Sequence, residues 1–199
     1  MKDKAFKEIT PFMDQKWGEE KSIRIRKAAE RRLAELCQEN ASDPKPVKVH
    51  TEQDIFPCIS LYEAMQQEGV PGKEAEEFLD WCWSKKAEPG AKSMKKTLAF
   101  AGLYKLYPAM FRLVAKSQFG EKAGFQAKFY HTGPSRCKFD MKKCLFFDTC
   151  NRYGCPELTK CFCHVDDVNN ENLHPRLIWN RTKYMGGGGD LCDFDIYLK

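Results

Sequence analysis

At 199 residues with 42% hydrophobic positions, the chain can bury one core without disulfide staples, which excludes wholesale disorder. Its 33 basic residues against 28 acidic ones leave a formal charge of +5. The charges interleave, and the densest basic cluster (Arg24, Arg26, Lys27, Arg31, Arg32) also holds Glu30 and Glu35, so a solvated helix face is expected rather than a nucleic-acid surface.

The segment Met1–Phe6 has no apolar core of the kind a secretory leader needs. Phe12 to Asn40 reads as a helix, with Ile23, Ala29, Leu33 and Leu36 near helical spacing. The run Asn40 to Pro46 reads as a loop, since its two prolines oppose a helix. His50, beside it, is expected to be exposed. A second helix is expected from about Thr51 to Gln67, bent at Pro57, and Gly69-Val70-Pro71-Gly72 ends it. Lys73 to Lys86 forms the next, with Phe78, Leu79, Trp81 and Cys82 as core, and Glu88-Pro89-Gly90 as a break. Ser93 would then cap a helix reaching Phe119, kinked at Pro108. Leu98 to Leu106 is the most apolar window, but Lys105 interrupts it, so it reads as a core helix rather than a membrane span.

After Gly124 the period changes from helical to two. Phe125, Ala127, Phe129 and His131 alternate with polar residues, so a strand is expected with His131 on its apolar face. Lys138 to Lys143 would pair with it across Thr132-Gly133-Pro134-Ser135. Short helices follow over Lys143–Tyr153, stopped by Gly154, and from Pro156 to Val168. Arg176 to Lys183 reads as a strand and Gly186 to Gly189 as a turn, where glycine tolerates positive φ. Leu191 to Leu198 is the last strand, with Cys192, Phe194, Ile196 and Leu198 on one face and Asp193 on the other. The expected class is α+β: amino-terminal helices, then an antiparallel sheet of about four strands with short helices inserted. A helical region over 1–120 would pack on a cysteine-rich region over 121–199, as one domain.

Ten cysteines are many for a chain with no sign of export, and seven lie in the last third. Packed thiols are the plain reading for each one. A sharper reading centres on Cys161-Phe162-Cys163-His164-Val165-Asp166-Asp167. Cys163 and Asp166 share a helix face, which sets a soft nucleophile beside a carboxylate, and Cys192 can reach the same interface from the last strand. A metal site from Cys144, Cys163, His164 and Cys192, for zinc or iron, is the weaker alternative, because no paired C-x-x-C knuckle is present. Arg181, in a half-buried strand, needs an anion: a nearby acid or a substrate carboxylate.

The ordered set Cys144, Gly154-Cys155-Pro156-Glu157-Leu158, Phe162-Cys163-His164-Val165-Asp166, Arg181-Thr182-Lys183 and Gly189-Asp190-Leu191-Cys192-Asp193-Phe194 resembles the L-2-amino-thiazoline-4-carboxylic acid hydrolase family. The final Gly-Asp-x-Cys-x-Phe-x-Ile is also similar to the end of vinyl-4-reductase-type small-molecule-binding domains. The first resemblance implies hydrolysis of a cyclic isothiourea to a carbamoyl-cysteine. Cys163, Asp166 and Cys192 would be catalytic; Arg181, Asp193 and His164 would bind substrate. No cofactor is predicted, zinc or iron at the cysteine cluster being the alternative. A non-enzymatic small-molecule or metal-binding sensory module using the same pocket is the competing expectation. A cytoplasmic protein is expected, with a small-molecule substrate, no nucleic-acid or membrane partner, and homo-oligomers allowed.

Overall fold

The computed structural model describes residues 6–199, so the segment read above for a leader lies almost wholly outside it. Helices come first: α1 (Thr10–Trp17), α2 (Glu19–Glu39), α3 (Lys45–His50), α4 (Phe56–Gln67), α5 (Gly72–Ala99) and α6 (Tyr107–Gln118). A four-stranded antiparallel sheet follows, of β1 (Gln126–Phe129), β2 (Arg136–Lys143), β3 (Leu177–Asn180) and β4 (Cys192–Leu198), in the order β1-β2-β4-β3. Helices α7 (Leu145–Arg152) and α8 (Thr159–Asn170) are inserted between β2 and β3. This is the α+β order expected from the two periodicities. Among the described residues no helix is long and apolar enough to cross a membrane.

Helix boundaries depart from the sequence reading in ways that matter later. The expected helix from Phe12 is two, because Gly18 takes φ +81°, a left-handed conformation that breaks the run. Pro46 starts α3 instead of extending a loop, since proline is tolerated in a first turn. The stretch Thr51–Ile55 is π-helical and joins α3 directly to α4. Pro57 lacks an N–H and its ring crowds the carbonyl four residues back; the widened turn accommodates it.

The largest departure is at Glu88-Pro89-Gly90, which does not break the chain: α5 runs through it for 28 residues. Glu88 pairs with Lys85 at 2.7 Å and with Lys92 at 3.4 Å, so charged side chains bridge the weakened turn. Ser93 is therefore inside a helix and caps nothing. Trp83, not Trp81, is the buried tryptophan of α5. The window Leu98 to Leu106 is not a core helix: Leu98 is buried, but Phe100 and Leu106 are 72% and 63% exposed around a 3₁₀ turn. Pro108 lies in the first turn of α6 and kinks nothing.

The sheet has one apolar face. The β2–β4 register sets Cys137, Phe139 and Met141 opposite Ile196, Phe194 and Cys192, and Trp179 lies opposite Ile196. Directly opposed residues project to the same side, so these form one wall of the core. The other side carries the Arg136–Asp195 ion pair at 2.5 Å and faces polar surroundings. Two apolar clusters fill the molecule, one among α1, α2, α4, α5, α7 and α8, the other between the sheet and α6. Leu145 and Phe146 of α7 pack against both. His131, expected on the apolar face, lies beyond β1 and is exposed.

Candidate functional site

Residues of α8 and of the apolar face of the sheet do not meet completely. A cavity of about 300 Å³ remains, and Cys144, Cys163, Asp166, Arg181 and Cys192 all line it. The helical spacing of Cys163 and Asp166 and the alternation of β4 thus bring together the residues that the sequence set apart. Arg181 lies just past the end of β3 rather than within the strand.

Arg181 organises the site. Its side chain is 3% exposed, and Nη2 donates to both Asp167 carboxylate oxygens (2.8 and 2.7 Å) and to the Cys163 carbonyl (2.9 Å). The rings of Tyr184, Phe194 and Trp179 surround the guanidinium at 4.8, 5.6 and 5.8 Å. Trp179 Nε1 donates to Asp167 at 2.9 Å, holding that carboxylate in place. The expected anion is therefore a neighbouring acid, Asp167, whose role the sequence reading missed; it lies four residues after Cys163, on the same helix face. Nη1 makes no hydrogen bond and stands 3.5 Å from Asp166.

Asp166 is half-buried on the cavity wall, with 42% of its side chain accessible. Burial pushes its carboxyl up to about 7; Arg181 opposes the shift and Asp167 adds to it. The thiols facing the cavity are shifted upward as well. Burial pushes Cys163 far above the ordinary thiol value, with Asp166 adding and Arg181 opposing. Cys144 is pushed up to about 12, and Cys192 is raised as well, both chiefly by burial. Thiols held protonated are weak nucleophiles.

Two expected residues are not brought to the cavity. His164 is exposed on the outer side of α8, where its Nδ1 lies 3.0 Å from Asp80 and 3.2 Å from Ser84. Asp193 follows the regular β4 ladder, with no bulge to turn it inward. It accepts from the Thr182 amide at 2.8 Å, the Thr182 hydroxyl at 2.5 Å and the Lys183 amide at 2.6 Å. Partial burial raises its carboxyl, but these hydrogen bonds outweigh it and hold the group below its ordinary value. Asp193 shapes the loop that carries Arg181. Among the described residues, no three His, Cys, Asp or Glu side chains are placed to hold a metal ion together.

His50, expected in solvent, lines the cavity instead, its ring centroid 5.1 Å from Phe125 and 5.9 Å from Phe146. Asp54 and Trp83 line it too. No short motif marks these three; α3, the π turn and α5 place them.

The four glycines pack rather than flex. Only Gly188 needs positive φ, at +88°. A Cβ on Gly186 would stand 3.1 Å from Cys163 Sγ and 3.3 Å from the Lys160 amide nitrogen, while the Met185 amide donates to Cys192 Sγ at 3.4 Å. The loop thus packs against both sulfurs. Gly186→Ala is expected to destabilise the protein by about 1–2 kcal/mol through overpacking. Thermal unfolding measures this, and an unchanged melting temperature would mean the loop is not seated on Cys163.

A family model described as L-2-amino-thiazoline-4-carboxylic acid hydrolase matches residues 48–196. No curated protein matches the chain. Among solved structures, an H-NOX domain from Shewanella oneidensis in the Fe(II)CO state aligns over 100% of this chain and 99% of its own, at 14% identity and a TM-score of 0.36. An unliganded Fe(II) H-NOX protein from K. algicida aligns over 100% and 97%, at 13% identity and a TM-score of 0.34. Likeness at these scores says nothing about chemistry here.

Proposed function

Because the chain belongs to the L-2-amino-thiazoline-4-carboxylic acid hydrolase family, we propose that it opens a small cyclic amidine or isothiourea that carries a carboxylate. One observation carries the assignment of roles: a carboxyl poised near 7, Asp166, beside a buried guanidinium whose Nη1 lacks a hydrogen-bond partner. A general base works best when its pKa lies near the working pH. Arg181 Nη1 anchors the substrate carboxylate.

The reacting carbon lies between the ring nitrogen, the exocyclic amino group and sulfur, and is electrophilic when the amidine is protonated. Ionised Asp166 takes a proton from water as its oxygen bonds to that carbon. The tetrahedral adduct then collapses; either the C–S or the C–N ring bond breaks, and Asp166 returns the proton to the departing sulfur or nitrogen. The product is a carbamoyl-cysteine. Direct water attack is preferred over attack by Cys163 because burial keeps that thiol protonated.

The test is turnover of 2-aminothiazoline-4-carboxylate, followed by carbamoyl product formation. Cys163→Ala is expected to keep turnover within about tenfold of the parent protein, since a base-activated water needs no thiolate. Complete loss in Cys163→Ala, with the fold intact, would transfer the chemistry to the thiol. The aromatic lining favours one further reading, a module that binds its ligand without reaction; binding with no ring opening under any condition is its signature.

A further inference from the structure

The cavity exceeds what a lone aminothiazoline ring fills, and its lining is not that of a small polar substrate. At about 300 Å³ it reaches the range of sites that enclose larger organic ligands. Phe139 and Phe194, both lining it, stack face to face with centroids 4.7 Å apart and planes 14° apart. Further aromatic side chains from α6, α7 and α8 line it as well.

Besides the thiols and the amides Gln118 and Asn169, its polar groups fall into two sets. Arg181 and Asp166 form one. His50, Asp54 and Trp83, from α3, the π turn and α5, form the other. Asp54 neighbours Lys86 and His50, whereas Asp166 neighbours Arg181 and Asp167, so the two carboxyls belong to separate ends. Trp83 is 6% exposed, and its Nε1 has no hydrogen-bond partner. An indole N–H can only donate, and a buried donor left unmet is costly, so the missing partner is an acceptor. Asp54 at the same end disfavours a second anion there.

We propose that the cavity takes an amphipathic carboxylic acid longer than the bare ring. Its carboxylate lies at Arg181, a flat aryl or hydrocarbon body lies along the aromatic walls, and a neutral acceptor oxygen meets Trp83 Nε1. The orientation rests on the hydrolase reading, through the anchor at Arg181; the body and the far acceptor do not. A reactive ring bearing an aryl substituent satisfies both.

Three probes test this on the full chain: 2-aminothiazoline-4-carboxylate, its 5-phenyl derivative and its 5-(4-methoxyphenyl) derivative. Calorimetry gives the Kd of each, and product analysis gives ring opening. The phenyl compound should bind about tenfold more tightly than the parent ring, through apolar burial. The methoxyphenyl compound should bind more tightly still. Trp83→Phe keeps a ring but removes the donor, and should erase the methoxy gain alone. Affinities that stay flat or fall across the series on the unaltered protein would overturn the inference, whatever the variant does. Opening of the parent ring with no gain on substitution would do so too, while sparing the hydrolase reading. Graded binding with no ring opening would leave the ligand class standing and remove the hydrolase.

Discussion

Asp166→Asn is expected to lower kcat/KM for ring opening by about 10³-fold while raising the melting temperature above pH 7. The first effect follows from removing a positioned base, which is worth roughly 10²–10⁴-fold. The pH profile of the parent protein should rise with an apparent pKa near 7, as the carboxyl that burial pushes up to about 7 ionises into its working form. The second effect follows from linkage. The folded-state value lies above the ordinary 3.8, so the native state favours the protonated carboxyl. The stability this contributes is complete below about 3.8 and is lost as pH rises through about 7. Above that, the native protein carries a desolvated carboxylate, and asparagine does not. Its 42% exposure moderates the size but leaves the sign unchanged. Melting curves from pH 4 to 9 should diverge toward alkaline pH, and parallel curves would show that Asp166 titrates normally.

Arg181→Met should raise KM at least about 100-fold and destabilise the protein by about 2–4 kcal/mol. Truncating one partner of a buried ion pair costs about 3–5 kcal/mol because the other is left uncompensated. Asp167 is 30% exposed, so water recovers part of that. The substitution also removes the donor to the Cys163 carbonyl, which ties the loop after β3 to α8. Adding Asp167→Asn relieves the orphaned charge and should restore part of the stability. It should not restore KM, because asparagine supplies no anchor for a substrate carboxylate. Recovery of both together would mean Arg181 is structural only. Both quantities come from one preparation, by chemical denaturation and initial rates.

Several features were readable along the chain. The strand alternation of Cys192, Phe194, Ile196 and Leu198 predicts an apolar face; the first three are buried and Leu198 is half-buried. Gly154 ends its helix with φ +70°, as a left-handed terminator should. The demand of Arg181 for an anion was also legible, although its satisfaction by Asp167 was not. Errors gathered where one local rule met a tertiary constraint. Pro89-Gly90 has poor helix propensity, yet α5 continues through it to bury Leu98. His50 follows two prolines, yet it lines the cavity because Pro46 starts a helix.

Local chemistry therefore decided the elements and their order: periodicity follows from backbone geometry, and glycine and proline act on their own turns. It also placed Cys163, Asp166 and Asp167 on one helix face. Only the tertiary structure gives those residues their surroundings. Burial, a property of everything packed around a group, raises the Cys163, Cys144 and Cys192 thiols and the Asp166 carboxyl, while a neighbouring loop holds Asp193 and His164 faces solvent. No spacing along the chain encodes the dielectric around a side chain, and that is what separates the acid–base candidate from the nucleophile.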